Sequence, residues 1–119
     1  MQVEHQAMEQ IGILHVSGHI SLRDIEYFRD FAHKIIDDPL VTHFIMNLEK
    51  VSFIDSSGIG IFIHCWRAMS QKQGYFVLCG LNEKNRQLIQ MTTLPQFISI
   101  HNNLEEAMTR LQEKAKPHS

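Results

Sequence analysis

Hydrophobic and polar positions fall into strand-like blocks at the start of the chain and then into strands and helices in turn. Val3 to Met8 and Ile11 to Val16 read as two short strands; in the second, Leu14 and Val16 share one face and His15 points to the other. The polar pair Glu9-Gln10 between them predicts a hairpin. Gly18 is read as the end of the second strand, and Ser21 as the cap of a helix with Ile25, Phe28, Ala32, Ile35 and Ile36 on its apolar face. Asp37-Asp38-Pro39 stops that helix. Thr42 to Leu48 carries bulky residues without clean alternation, as a central strand covered on both faces does.

A second helix is predicted from Asp55-Ser56-Ser57-Gly58 through Ile59, Ile61, Phe62, Ile63, Trp66 and Met69 to Gln73, with Gly74 as its C′ residue. Tyr75 to Cys79 is another buried strand. Asn82 caps a third helix through Arg86, Leu88, Ile89 and Met91, ending ahead of Leu94-Pro95 because a residue before proline leaves the helical region. Phe97 to Ile100 makes a last short strand. Asn103 to Glu106 has the form of a capping box, and Leu104, Ala107, Met108 and Leu111 lie on one helical face. The order is ββαβαβαβα. Alternating units need crossovers, so the expected fold is an α/β domain with a mixed, mostly parallel sheet and about four helices. No repeat, linker or low-complexity segment interrupts it. Residues 1–119 are assigned to a single domain, with a core over about 3–113 and a frayed tail at 114–119.

Composition narrows the function classes. The net charge is −2 and the basic residues are scattered, which offers no footprint for direct nucleic-acid binding. The longest apolar stretch, Ile59 to Trp66, is eight residues, far short of the roughly 20 that cross a bilayer, so no membrane insertion is expected. The opening MQVEHQAMEQ has neither a basic nor an apolar signal region, and a cytoplasmic location is expected. Cys65 and Cys79 lie inside apolar runs and read as buried free thiols. The eight histidines show no HExxH or similar spacing and most read as solvated, so neither a metal nor another cofactor is expected.

The most informative stretch is NLEKVSFIDSSGIG, Asn47 to Gly60. Its D-S-S-G-x-G, placed between a buried strand and a helix, resembles the signature of STAS domains, specifically the anti-sigma factor antagonists. The resemblance extends over most of the chain, from the hairpin closing at Val16-Ser17-Gly18 to the helix Asn82 to Met91. It implies a STAS-like fold and a non-enzymatic switch. In that scheme the unphosphorylated protein binds an anti-sigma factor that is also a serine kinase, and so frees a sigma factor. Phosphorylation of the first serine of the pair, here Ser56 with Ser57 as fallback, turns binding off, and a serine phosphatase restores it. The implied partner surface comprises Asp55, Ser56, Ser57, Gly58, Ile59 and Ser21. Ser21 stands where such proteins often carry an acidic residue, so a partner contact needing negative charge there is in question.

The residues support this chemistry on their own terms. A serine at a helix start exposes its hydroxyl where unpaired amides tolerate an anion. Asp55 is either the helix cap, the group that orients the acceptor serine, or both. Gly58 permits close approach of a partner or close packing of the helix, and packing is the expected role of Gly60. Trp66, Phe62, Met69, Tyr27 and Phe31 offer an apolar patch for a partner, but most of them are expected in the core; exposed residues beside Ser56, Ile59 or Phe62, would then anchor an interface. A hydrolase elbow, G-x-S-x-G, is disfavoured because Ile54 replaces its first glycine and no triad partners can be assigned. Gly58-Ile-Gly60 lacks the third glycine of a dinucleotide fingerprint, and no GxxxxGK[ST] loop occurs. The remaining alternative is a STAS scaffold or transporter-associated interaction module without sigma-factor control.

Overall fold

The unbroken apolar run in mid-sequence becomes the spine of the sheet in the computed structural model, which describes residues 1–115. Strand β3, His43–Ile54, lies at the centre of a five-stranded sheet with spatial order β1-β2-β3-β4-β5. The others are β1 (Gln2–Met8), β2 (Ile11–Ile20), β4 (Phe76–Cys79) and β5 (Ser99–His101). β1 pairs antiparallel with β2 through the hairpin at Glu9-Gln10, and the remaining pairs are parallel.

Helices α1 (Ile25–Ile36), α2 (Ser56–Gln71) and α3 (Glu83–Gln90) connect successive parallel strands. The strands advance in one direction across the sheet, so right-handed crossovers put these helices on one face. There Leu14, Val16, Phe44, Met46, Leu48, Phe76 and Leu78 meet Phe28, Ile35, Ile61, Phe62 and Ile89. On the other face Ile11, Ile13, Ile45, Val77 and Cys79 are covered by Ala107 and Leu111 of α4 (Leu104–Ala115). The three inner strands β2, β3 and β4 thus bury alternate residues on opposite sides, which explains the missing alternation in β3 and β4.

Several boundaries differ from the sequence reading. β2 does not end at Gly18: it runs to Ile20, with Gly18 at φ +92° where the register with β3 shifts. β3 likewise continues past Leu48, keeping Val51 and Ile54 buried while Glu49, Lys50, Ser52 and Phe53 face solvent. Ser21 does not cap α1 with its hydroxyl, because a 3-10 turn, Leu22–Asp24, intervenes before the helix starts at Ile25. α2 ends in a Schellman turn in which Gln73, not Gly74, takes the left-handed C′ position at φ 62°. Gln73 N donates to Ser70 O at 2.9 Å and Gly74 N to Met69 O at 2.9 Å. Gly74 is fixed by close approach instead, since a Cβ there would lie 1.7 Å from Thr42 O. The last strand starts two residues later than expected because Leu94–Gln96 form a 3-10 turn. Lys114 and Ala115 continue α4 rather than belonging to a tail, and residues 116–119 of that expected tail lie outside the described residues. Among the described residues no helix is long and apolar enough to cross a membrane.

Candidate functional site

The overrun of β2 and β3 positions the site. Ile20 pairs with Ile54 at the strand ends, and Asp55 N donates to Ile20 O at 3.0 Å, so the residues that follow each strand emerge side by side on one rim. Asp55 is the N-cap of α2. Its Oδ1 accepts from Ser57 N at 2.9 Å and Gly58 N at 3.3 Å, and from the Ser57 hydroxyl. Its Oδ2 accepts from Leu22 N at 2.9 Å, tying the β2–α1 loop to the helix start. The Ser57 hydroxyl, with the amides of Leu22, Gly58 and Ser57, holds the Asp55 carboxyl below the usual carboxylate range against an opposing effect of desolvation. Asp55 is therefore a charged clamp as well as a cap.

This arrangement separates the two serines. Ser57 is half-buried and its hydroxyl proton goes to Asp55. Ser56, the first residue of α2, is exposed and takes no part in the Asp55 hydrogen bonds. Ser21, half-buried in extended backbone, stands next to Leu22 without a side-chain cap bond.

The glycines also differ. Gly58 is buried, and a Cβ there would lie 2.6 Å from Ile20 Cγ2 and 3.0 Å from Ile54 Cγ2. It is a packing glycine facing the strand ends. Gly60 is exposed and a Cβ there would meet nothing within 4 Å, contrary to the packing role expected for it. Being four residues after Ser56, it lies on the same side of the helix and leaves that surface low.

Phe62 is fully buried and cannot anchor an interface, and Met69 is buried with it. Ile59 is half-buried beside the site. Trp66 and Phe31 are half-buried, whereas Tyr27 is 40% exposed. The exposed apolar groups of the rim are Leu22 (70%) and Phe53 (42%), the latter edge-on to His19 with ring centroids 6.0 Å apart. Sequence reasoning missed both. Their signals were a leucine directly after the expected cap and a phenylalanine at a polar-facing position of β3.

A hairpin, consecutive parallel crossovers and a strand that delivers DSSG to the start of a helix define the class. The STAS domain family profile matches residues 2–107, and the chain belongs to that family. Within it, the chain is similar to an anti-sigma F factor antagonist of Paenibacillus polymyxa, 25% identical over 94% of this chain and 96% of the relative. The fold is shared with the crystal structure of an anti-sigma factor antagonist from Mycobacterium paratuberculosis, TM-score 0.85 at 18% identity over 93% of each chain. It is shared also with the Bacillus cell fate determinant SpoIIAA in its phosphorylated form, TM-score 0.72 at 24% identity over 92% of this chain and 98% of that one.

Proposed function

We propose that this chain is an anti-sigma factor antagonist that binds an anti-sigma factor with serine kinase activity, and that phosphorylation of Ser56 switches the binding off. The carrying observation is the asymmetry of the serine pair: the Ser57 hydroxyl is committed to Asp55, while Ser56 is exposed at the helix start, on a rim that also carries the exposed Leu22 and Phe53. The kinase transfers a phosphoryl group from a nucleoside triphosphate to Ser56 Oγ, the hydroxyl proton leaving to a base on the kinase. A serine phosphatase reverses the modification. The chain itself is a binding protein and substrate, with no catalytic role.

The energetics favour a switch that spares the fold. The phosphate adds about −1.5 to −2 charge at pH 7, and the helix N-terminus offsets part of its cost. The ionised Asp55 next to it opposes the new charge, but its own charge is already balanced by the Ser57 hydroxyl and the amides of Leu22, Ser57 and Gly58. Against a partner seated on Leu22 and Phe53 the same phosphate loses water and meets apolar surface. A loss of about 3 kcal/mol there weakens binding on the order of a hundredfold.

The test is the affinity of wild type, Ser56→Asp, Ser56→Ala and Ser57→Ala for the anti-sigma factor kinase of the same cell, with thermal unfolding of each. Ser56→Asp is expected to bind at least tenfold more weakly at an almost unchanged melting temperature. Ser56→Ala is expected to bind and resist release by kinase and ATP, and Ser57→Ala to be phosphorylated still. Equal affinity of wild type and Ser56→Asp overturns the proposal, and equal capture of scaffold or transporter components by both supports the interaction-module alternative.

A further inference from the structure

Away from the Ser56 rim, α1 and α2 are clasped by two imidazoles. His33 of α1 and His64 of α2 direct their Nε2 atoms at each other across 2.7 Å, with ring centroids 4.9 Å apart. The other nitrogen of His33, Nδ1, lies 3.2 Å from Asp37 Oδ2 and 3.4 Å from Oδ1. An ionised carboxylate can only accept, so Nδ1 carries a proton, and in the neutral ring His33 Nε2 presents a lone pair toward His64. His64 Nε2 then supplies the single proton held between the rings. A carboxylate behind the far nitrogen of a histidine is also the arrangement that fixes the tautomer and orientation of metal-binding rings.

The ligand type, not the spacing, points to the class of ion, since imidazole nitrogens hold Ni²⁺ and Cu²⁺ most tightly among the first-row divalent ions. Two nitrogens each about 2.1 Å from a metal are about 3.0 Å apart at a right angle and about 3.4 Å apart at a tetrahedral angle. The observed 2.7 Å, with the rings nearly head-on, is that of an N–H···N hydrogen bond, so an ion enters only as the rings part by a few tenths of an ångström and swing both Nε2 atoms toward a common point. His33 is 36% exposed at its side chain, and His64 is exposed, so an ion has access. We propose that His33 and His64 form a two-histidine site for a first-row divalent ion of octahedral or tetragonal preference, Ni²⁺ or Cu²⁺, which pins α1 to α2. Among the described residues no three ligating side chains gather in one place, so water completes the shell. Desolvation lowers the pKa of His64, as do His33, Arg29 and Arg67, while Asp37 raises it. The ring is thus kept neutral, and for Nε2 to ligate a metal the proton it shares with His33 moves through solvent to Nδ1 of His64, while the same arginines repel an arriving cation and limit the affinity. The site escaped the sequence reading because its ligands are 31 residues apart, on different helices.

The site is independent of the Ser56 switch and is tested on the free protein. Calorimetric titration of the full chain with Ni²⁺ at pH 7.5 is expected to saturate at one equivalent, and thermal unfolding to shift upward with the added ion. His33→Ala and His64→Ala are each expected to weaken binding more than tenfold while retaining the wild-type circular dichroism. Asp37→Asn, which leaves both ligands in place, is expected to weaken it about tenfold. His64→Gln serves as a second removal of that ligand should the alanine variant unfold. Absence of binding in the wild type, or one-equivalent binding that survives the loss of either histidine, overturns the proposal.

Discussion

Asp55, Ser56, Ser57, Gly58 and Gly60 sit within six residues and answer to different forces. The N-cap carboxylate satisfies amides on both sides of the rim, an interaction worth about 1 kcal/mol at a helix start. Gly58 is confined by the methyl groups of Ile20 and Ile54, whereas Gly60 faces open space. Gly58→Ala is therefore expected to cost about 1–3 kcal/mol by overpacking, and Gly60→Ala to add up to about 1 kcal/mol through helix propensity. Urea denaturation of the two variants measures both, and equal destabilisation by the two overturns this division. A Gly60→Ala protein that is more stable yet binds its partner less well locates the partner on the helix surface beside Ser56. The motif was legible in the sequence, because DSSG-x-G needs only adjacent letters. The division of labour between the serines was not, since it depends on which hydroxyl the Asp55 carboxylate reaches across the helix start.

Most elements were legible because their apolar periods are intact, and the departures occur where two requirements compete. β2 and β3 run on beyond the apolar blocks because their ends pair with each other through register shifts that no single-strand pattern records. Phe53 falls on the solvent side of that extension, where its strand's apolar block gave no expectation for it. At the end of α2, Gly74 looked like the turn residue, yet the contact with Thr42 O claims it and forces Gln73 into the left-handed region. A residue with a Cβ pays roughly 1–2 kcal/mol there. Gln73→Gly is accordingly expected to stabilise the protein by about 1 kcal/mol, raising the melting temperature by a few degrees. Calorimetry checks this, and a lowered melting temperature contradicts it.

Across the whole molecule, the histidines whose pKa is shifted share one sign. His43 is held below its ordinary pKa first by burial and then by Lys114, and its Nδ1 accepts from Tyr75 N at 3.0 Å, a bond that protonation removes. Burial also lowers His64 and His101, the latter against the pull of Glu106. Below the ordinary histidine value of about 6.5 the unfolded chain binds more protons than the folded one, so stability falls with pH. Asp55 adds a second loss in the acid range, since its stabilising charge is present above the unfolded carboxylate value and disappears as pH falls through its lowered folded one. Urea midpoints are expected to decline from about pH 6.5 downward, and a flat profile between pH 7.5 and 5.5 contradicts this assignment. None of this was visible from eight histidines scattered in the sequence, because burial and not spacing sets their behaviour.

The two faces of the sheet are unequally protected. Three helices guard one, but the other depends on α4, the last of the described elements to leave the ribosome. Until that helix docks, a nascent chain displays Ile11, Ile13, Ile45 and Val77 as a bare apolar surface, the kind of transient exposure that recruits chaperones and invites aggregation. Cys79 lies on the same face, with its thiol pushed up to about 12 by burial and by Glu49, so it is unreactive under the docked helix and becomes an available nucleophile whenever the helix lifts. The protein thus carries its own chemical reporter of whether synthesis and docking are complete.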